Sequence, residues 1–125
     1  MVQCTDAFVT LASVDVERLV KFYSELLGKN PQNYIHNAYA EFHLPGLRLG
    51  IFKPRETHRQ EFEGKRGSMS LCLEVKDLED TIAHLTAIGY PAAGEIITAS
   101  HGREIYAYDP DGNRLILHQS PRTDS

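Results

Sequence analysis

Apolar positions in this chain recur with a period of two, then of three to four, then of two again, and the whole succession occurs twice. Residues 7–14, AFVTLASV, alternate as a strand, with Val9 and Leu11 on one face and Phe8, Thr10 and Ala12 on the other. A helix follows from Asp15, its cap or first-turn acid, with Val16, Leu19, Val20, Tyr23, Leu26 and Leu27 at helical spacing. Gly28 fits its C-terminal position, and Pro31 prevents continuation. A weak strand is expected between residues 32 and 37. Tyr39–Leu44 and Leu47–Phe52 then read as two strands across Pro45-Gly46. Ala40, Phe42, Leu44, Leu47, Leu49 and Ile51 form their apolar sides. Tyr39, Glu41, His43, Arg48, Gly50 and Phe52 lie opposite.

The succession restarts after a charged stretch, Lys53–Ser68, which has proline and glycine but no apolar period and is expected to be a solvated linker or mobile loop. Met69–Val75 predicts a strand with Leu71, Leu73 and Val75 inward and Ser70, Cys72 and Glu74 outward. Asp77 caps a helix whose buried stripe is Leu78, Ile82, Leu85 and Ile88, and Gly89 ends it. Glu95–Ala99 is a further strand. Gly102–His118 then reads as a β-hairpin about Asp109-Pro110-Asp111-Gly112, where proline presets φ, aspartate accepts local backbone bonds and glycine allows φ > 0. Ile105, Ala107, Leu115 and Leu117 fall on its core side. Glu104, Tyr106, Tyr108, Arg114, Ile116 and His118 fall on the other.

Two copies of strand-helix-strand-strand-strand predict an α+β chain: two tandem βαβββ modules forming an open curved mixed sheet, because neither apolar sheet face is buried within one strand set alone. The expected organisation is a single domain over 1–125, with module one at about 5–53, a linker at 54–68 and module two at about 69–119. Both helices take one face of the sheet. The opposite face becomes a cup.

Composition narrows the partners. The 125 residues are 42% hydrophobic and 24% charged, as in ordinary globular chains, and a formal net charge of −4 excludes a nucleic-acid partner that needs a clustered basic face. No apolar run spans a membrane and no basic leader precedes one, so a cytoplasmic protein with no membrane partner is expected. Cys4 and Cys72 form no disulfide framework, and Cys72 is expected as a small buried thiol in a reducing compartment.

Val14-Asp15-Val16 leading to Phe22-Tyr23 and Leu26-Leu27-Gly28, then Val75-Lys76-Asp77-Leu78, Gly102-Arg103-Glu104 and Asp109-Pro110-Asp111-Gly112-Asn113 carry a resemblance over nearly the whole chain. The sequence resembles the vicinal oxygen chelate superfamily: glyoxalase I, bleomycin-resistance proteins, fosfomycin-resistance enzymes and extradiol dioxygenases. The resemblance implies paired βαβββ modules, a cup and a homodimer. It also implies a divalent metal, held by side chains of the first and last strands, that polarises vicinal substrate oxygens. Those positions fall here on Phe8, Gly50, Ser70 and Ile116. Three have no side-chain donor and serine is a poor ligand, so no metal or other cofactor is expected there. Gly102-Arg103-Glu104 resembles a segment of metal-free bleomycin-resistance proteins.

The candidate ligand-binding residues are therefore Phe8, Tyr39, His43, Arg48, Phe52, Ser70, Glu104, Tyr106, Arg114, Ile116 and His118. Arg48 and Arg114 either grip a carboxylate or phosphate or pair internally with neighbouring strands. The aromatic side chains either stack on a planar ligand or fill a core or dimer interface. His43 and His118 are strand-end histidines or, with a glutamate, ligands of a relocated metal site. His36, His58, His84 and His101 receive no role. Three functions follow: a metal-free binder of a small molecule, a glyoxalase-type lyase, isomerase or dioxygenase with a relocated metal, and a structural or partner-binding dimer.

Overall fold

Asp15 and Gly28 delimit the first helix as their chemistry requires. The Asp15 carboxylate accepts from the Arg18 amide at 3.2 Å, and Gly28 takes the left-handed conformation at φ 65°. Between them α1, Val16–Leu27, buries Val16, Leu19, Phe22 and Tyr23. Phe22 extends the apolar stripe read from spacing, and its ring meets Tyr23 edge-on at 5.0 Å.

The computed structural model describes residues 1–64 and 67–121. The chain divides into two compact units, Met1–Lys65 and Arg66–Ser125. In the first, β1 (Val9–Ala12) runs parallel to β4 (Leu47–Phe52), which pairs antiparallel with β3 (Tyr39–Leu44), and β3 with the edge strand β2 (Asn33–Ile35). The sheet order is β1-β4-β3-β2. Ala40, Phe42, Leu49 and Ile51 are completely buried on the face that carries α1.

The second unit repeats this arrangement with β5 (Leu71–Glu74), α2 (Leu78–Ala87), β6 (Ala93–Ala99), β7 (Gly102–Tyr108) and β8 (Arg114–Gln119), in sheet order β5-β8-β7-β6. Strands β5 and β8 are parallel and the other pairs antiparallel. Ile105, Ala107, Leu115 and Leu117 are buried with Leu78 and Leu85 of α2. Asp77 caps α2 by accepting from the Asp80 amide at 3.0 Å. The chain is thus α+β, with a mixed four-stranded sheet of the same strand order in each unit.

Two expectations change. The 54–68 stretch is not simply an open loop: a 3₁₀ helix spans Glu56–Phe62, with Lys65 and Arg66 outside the described residues. Arg59 lies 3.6 Å from Glu56 and 3.0 Å from Glu63, and Phe62 meets the Phe52 ring edge-on at 5.2 Å. Charge pairing and one aromatic contact stand in for the missing apolar period. Cys72 is exposed rather than buried, on the outward face of β5 opposite Ile116. No helix among the described residues is long and apolar enough to cross a membrane.

Candidate functional site

Strand register sorts the outward side chains into rows. In the first unit Arg48 pairs with His43, Gly50 with Thr10 and Glu41, and Phe52 with Ala12 and Tyr39. Glu41 is the centre of this face. Though only 7% exposed, it is saturated: it accepts from the Tyr39 hydroxyl at 2.6 Å, His43 Nε2 at 2.7 Å and Asn33 Nδ2 at 3.4 Å. The Tyr39 and His43 bonds hold its carboxyl below the usual carboxylate range. In return the Glu41 hydrogen bond, with burial and charge added, pushes the Tyr39 phenol up to about 12.

Arg48 lies 3.5 Å from Glu41 and pairs with Asp6, and its guanidinium sits 4.9 Å from the centre of the Phe8 ring. The internal-pairing alternative therefore describes Arg48. Phe8 is 47% exposed. Gly50 is buried, and a Cβ there would stand 3.3 Å from Thr10 Cγ2 and 3.4 Å from the Tyr39 hydroxyl. A side chain at this position would start in contact with Thr10 and with the phenol that binds Glu41.

The second unit carries three rows on its outward face. Ser70 and Arg114 stand beside Tyr108, then come Cys72, Ile116 and Tyr106, and finally Glu74, His118 and Glu104. Arg114 Nε donates to Ser70 Oγ at 2.7 Å, and its Nη2 donates to the Gly67 carbonyl. His118 Nδ1 donates to Glu74 at 2.6 Å, and its Nε2 faces His101 Nδ1 at 3.1 Å with the rings stacked 5.2 Å apart. Ser120 fixes the other Glu74 oxygen through its amide at 2.8 Å and its hydroxyl at 2.6 Å. The Glu74 hydrogen bond raises the His118 pKa against the opposing effect of desolvation, and Ser120 and His118 lower that of Glu74. At Cys72, desolvation followed by the charges of Glu104 and Glu74 pushes the thiol up, the opposite of what activates a nucleophile.

The four positions at which the resemblance implies metal ligands do not fit a divalent cation. Phe8, Gly50 and Ile116 offer no donor atom, and Ser70 Oγ is taken by a guanidinium. Counting back two residues from Gly50 and from Ile116 gives Arg48 and Arg114, each bearing on the first-strand position of its own unit. A guanidinium thus contacts each first-strand position, that of Arg48 compensated by Asp6 and Glu41 and that of Arg114 held by neutral acceptors. The histidines of a relocated site are engaged elsewhere, His43 with Glu41 and His118 with Glu74, and among the described residues no three His, Cys, Asp or Glu side chains are grouped to hold a metal.

The candidate residues thus separate into Phe8, Tyr39, His43, Arg48 and Phe52 in one unit and Ser70, Glu104, Tyr106, Arg114, Ile116 and His118 in the other. Sequence reasoning passed over His101, which belongs to a turn with no periodicity, and the pairing of Glu74 with His118. That pairing depends on a parallel register between residues 44 apart in the chain. A groove of about 440 Å³ in the second unit is lined in part by Lys76, Glu79, Arg103 and Gln119. Its strongest cation is spent internally, since Arg103 grips both Glu79 oxygens at 2.5 and 2.7 Å and holds that carboxyl down at about 2.

Comparison with known proteins agrees with this architecture. No curated protein matches the chain. Among solved structures, a glyoxalase/bleomycin resistance protein from Catenulispora acidiphila is 27% identical with a TM-score of 0.68, covering 93% of this chain and 98% of its own. A glyoxalase-related enzyme from Fulvimarina pelagi is 22% identical with a TM-score of 0.74, covering 94% and 90%. A genomically encoded fosfomycin resistance protein from Listeria monocytogenes, complexed with Mn(II) and sulfate, is 18% identical with a TM-score of 0.73, covering 95% and 93%. The last two show the shared fold. The family model matches residues 7–117, and the chain belongs to the Glyoxalase/Bleomycin resistance protein/Dioxygenase superfamily.

Proposed function

We propose that this chain is a small-molecule-binding member of its superfamily, the outward face of each sheet taken by itself offering ligand-binding surface without a metal at the family positions. The observation that carries this reading is the substitution of chemistry at those positions: Phe8, Gly50 and Ile116 lack donors, and Arg48 and Arg114 bear on the two first-strand sites. A guanidinium orients an oxyanion by paired N–H donors, a role open to Arg114, whereas Arg48 is paired with Asp6 and Glu41 and lends its flat face to Phe8. Exposed Phe8, Tyr106 and Tyr108 supply aromatic surface to cover an apolar ligand. The ligand-binding residues of the proposal are Phe8, Tyr39, His43, Arg48, Phe52, Ser70, Glu104, Tyr106, Arg114, Ile116 and His118. The working assembly is a homodimer in the cytoplasm, a reading that the free, exposed Cys4 and Cys72 support for the compartment.

Metal content and ligand response test it together. Elemental analysis of protein purified without chelator should find substoichiometric zinc, nickel, iron and manganese. Stoichiometric metal lost in His118→Ala would replace this reading with a metal-dependent lyase, isomerase or dioxygenase. In a thermal-shift screen, a ligand at a hundredfold over its Kd should stabilise the protein by about 2.7 kcal/mol. Silence across aromatic acids, glycopeptide antibiotics and thiol conjugates would favour a structural or partner-binding dimer.

A further inference from the structure

Two charged side chains on the outward face of the β5-β8-β7-β6 sheet, Arg114 and Glu104, form no ion pair among the described residues. Arg48, Arg59 and Arg103 each face a carboxylate, whereas Arg114 is held by two neutral acceptors, Ser70 Oγ and the Gly67 carbonyl. Glu104 makes no hydrogen bond or ion pair among the described residues, and strand register sets it in the row of Glu74 and His118 on this face, with the His118 imidazole as its titratable neighbour. Register keeps the two apart. Glu104 stands opposite His118, Arg114 stands opposite Tyr108, and the four-residue step along β8 is about 13 Å at roughly 3.3 Å per residue. The row between them, Cys72, Ile116 and Tyr106, is the least polar of the three.

We propose that this face takes a bipolar small molecule: a carboxylate at Arg114, a flat apolar body across Ile116 and Tyr106, and a protonated amine at Glu104. The proposal rests on the binding function above and names a ligand class for it. Arg114 has lost two donors to Ser70 and Gly67 and keeps others for an oxyanion, which its planar fork binds in a fixed orientation. Tyr106, 38% exposed, offers a ring face to the apolar body, and Glu104 is acceptor-only when ionised. A ligand with only one of these charges leaves the other end of the strip unmatched.

The test uses isothermal titration of the full chain with three rigid probes. One is a biphenyl bearing a carboxylate and an aminomethyl group at opposite para positions. The others are the biphenyl carboxylate and the biphenyl methylamine alone. The bipolar probe should bind tightest. Arg114→Met should weaken it and the carboxylate about tenfold or more, and leave the amine unchanged, as loss of a hydrogen bond to a charged group requires. Glu104→Gln should weaken the bipolar probe and the amine, and leave the carboxylate unchanged. Because Arg114 also anchors Ser70, circular dichroism checks that variant's fold, and Glu104→Gln, which removes no described contact, carries the test independently. If the three probes bind alike, or the charge variants leave their ranking intact, the polarity is overturned while the binding function stands. If none binds although the broader screen yields ligands, the ligand class is overturned. If that screen is silent as well, the binding function itself fails.

Discussion

Gly102 shows how a motif residue can be required by backbone conformation and close approach together. Its φ is +130°, and a Cβ there would stand 2.2 Å from the Gln119 carbonyl oxygen and 2.9 Å from His118 Nε2. Gly102→Ala should therefore lower stability by at least about 2 kcal/mol, strain and collision acting together, as a fall in the urea midpoint. Gly112 has a similar positive φ of +84° but open space around it, so Gly112→Ala should cost only about 1 kcal/mol. Equal losses would remove the close approach as the cause. His118 gives a pH prediction at the same scale. Glu74 raises its folded pKa above the ordinary 6.5, so its stabilising contribution is complete below pH 6.5 and is lost as pH rises through the raised value. Glu74 is lowered from 4.5, so its contribution is present above pH 4.5 and is lost as pH falls through the lowered value. The pair therefore contributes most between those limits, with Glu104 and His101 as the other titratable neighbours of His118. An NMR titration should place His118 above 6.5, and Glu74→Gln should return it towards that value. A His118 titrating at or below 6.5 in the unaltered protein would contradict this.

The hairpin turn between β7 and β8 is the element most legible in the sequence, and its structure explains why. Asp109 Oδ1 accepts from the amides of Asp111 and Asn113, both at 2.9 Å, and Oδ2 accepts from Asn113 Nδ2 at 2.8 Å. The Gly112 amide closes the turn onto the Asp109 carbonyl at 2.9 Å. All of this is local, so Asp-Pro-Asp-Gly-Asn contains the information that makes it. Asp109→Ala leaves two backbone amides unpaired at a position only 4% exposed, and should destabilise by about 2 kcal/mol in equilibrium unfolding. Asp109→Asn, which keeps one acceptor oxygen, should recover part of it. A neutral Asp109→Ala would mean that water replaces the side chain fully. The elements that escaped sequence reading lack local information of this kind. The 3₁₀ helix rests on backbone bonds such as His58 N–H to the Arg55 carbonyl, on Arg59's pairs and on the meeting of Phe62 with Phe52, none of which leaves an apolar period, and alternation set the face of Cys72 but not its exposure. The candidate site was half legible for the same reason. Alternation put Glu41, His43, Arg48, Glu104, Arg114 and His118 on outward faces, but which carboxylate meets which cation is decided by register between distant strands.

The repeat that organises the whole molecule is unequal in its cores. On α1 the residues Val16, Leu19, Phe22 and Tyr23 are buried, whereas on α2 only Leu78 and Leu85 are, although each helix covers a sheet of the same order. On the strands the sizes partly offset, since by register Phe42 of β3 corresponds to Ala107 of β7 but Ala40 corresponds to Ile105, so the difference lies mainly on the helices. At about 1.5–3 kcal/mol for each large side chain removed from water, the first unit holds an advantage of several kcal/mol in local stability. The same imbalance follows from the sequence, where the aromatic pair Phe22-Tyr23 of the first helix has no aromatic counterpart in Leu78–Ala87. Native-state hydrogen exchange on the intact chain should therefore find the amides of α1, β3 and β4 more protected than those of α2, β7 and β8, by a gap of that order. A sub-global opening of the second unit would also loosen the register that sets Arg114 and Glu104 apart, so a ligand bridging those two rows should slow exchange in β7 and β8 and leave β3 and β4 unchanged. If the slowest amides are instead shared evenly by both units, the chain opens as one cooperative body and the unequal helices do not divide its stability.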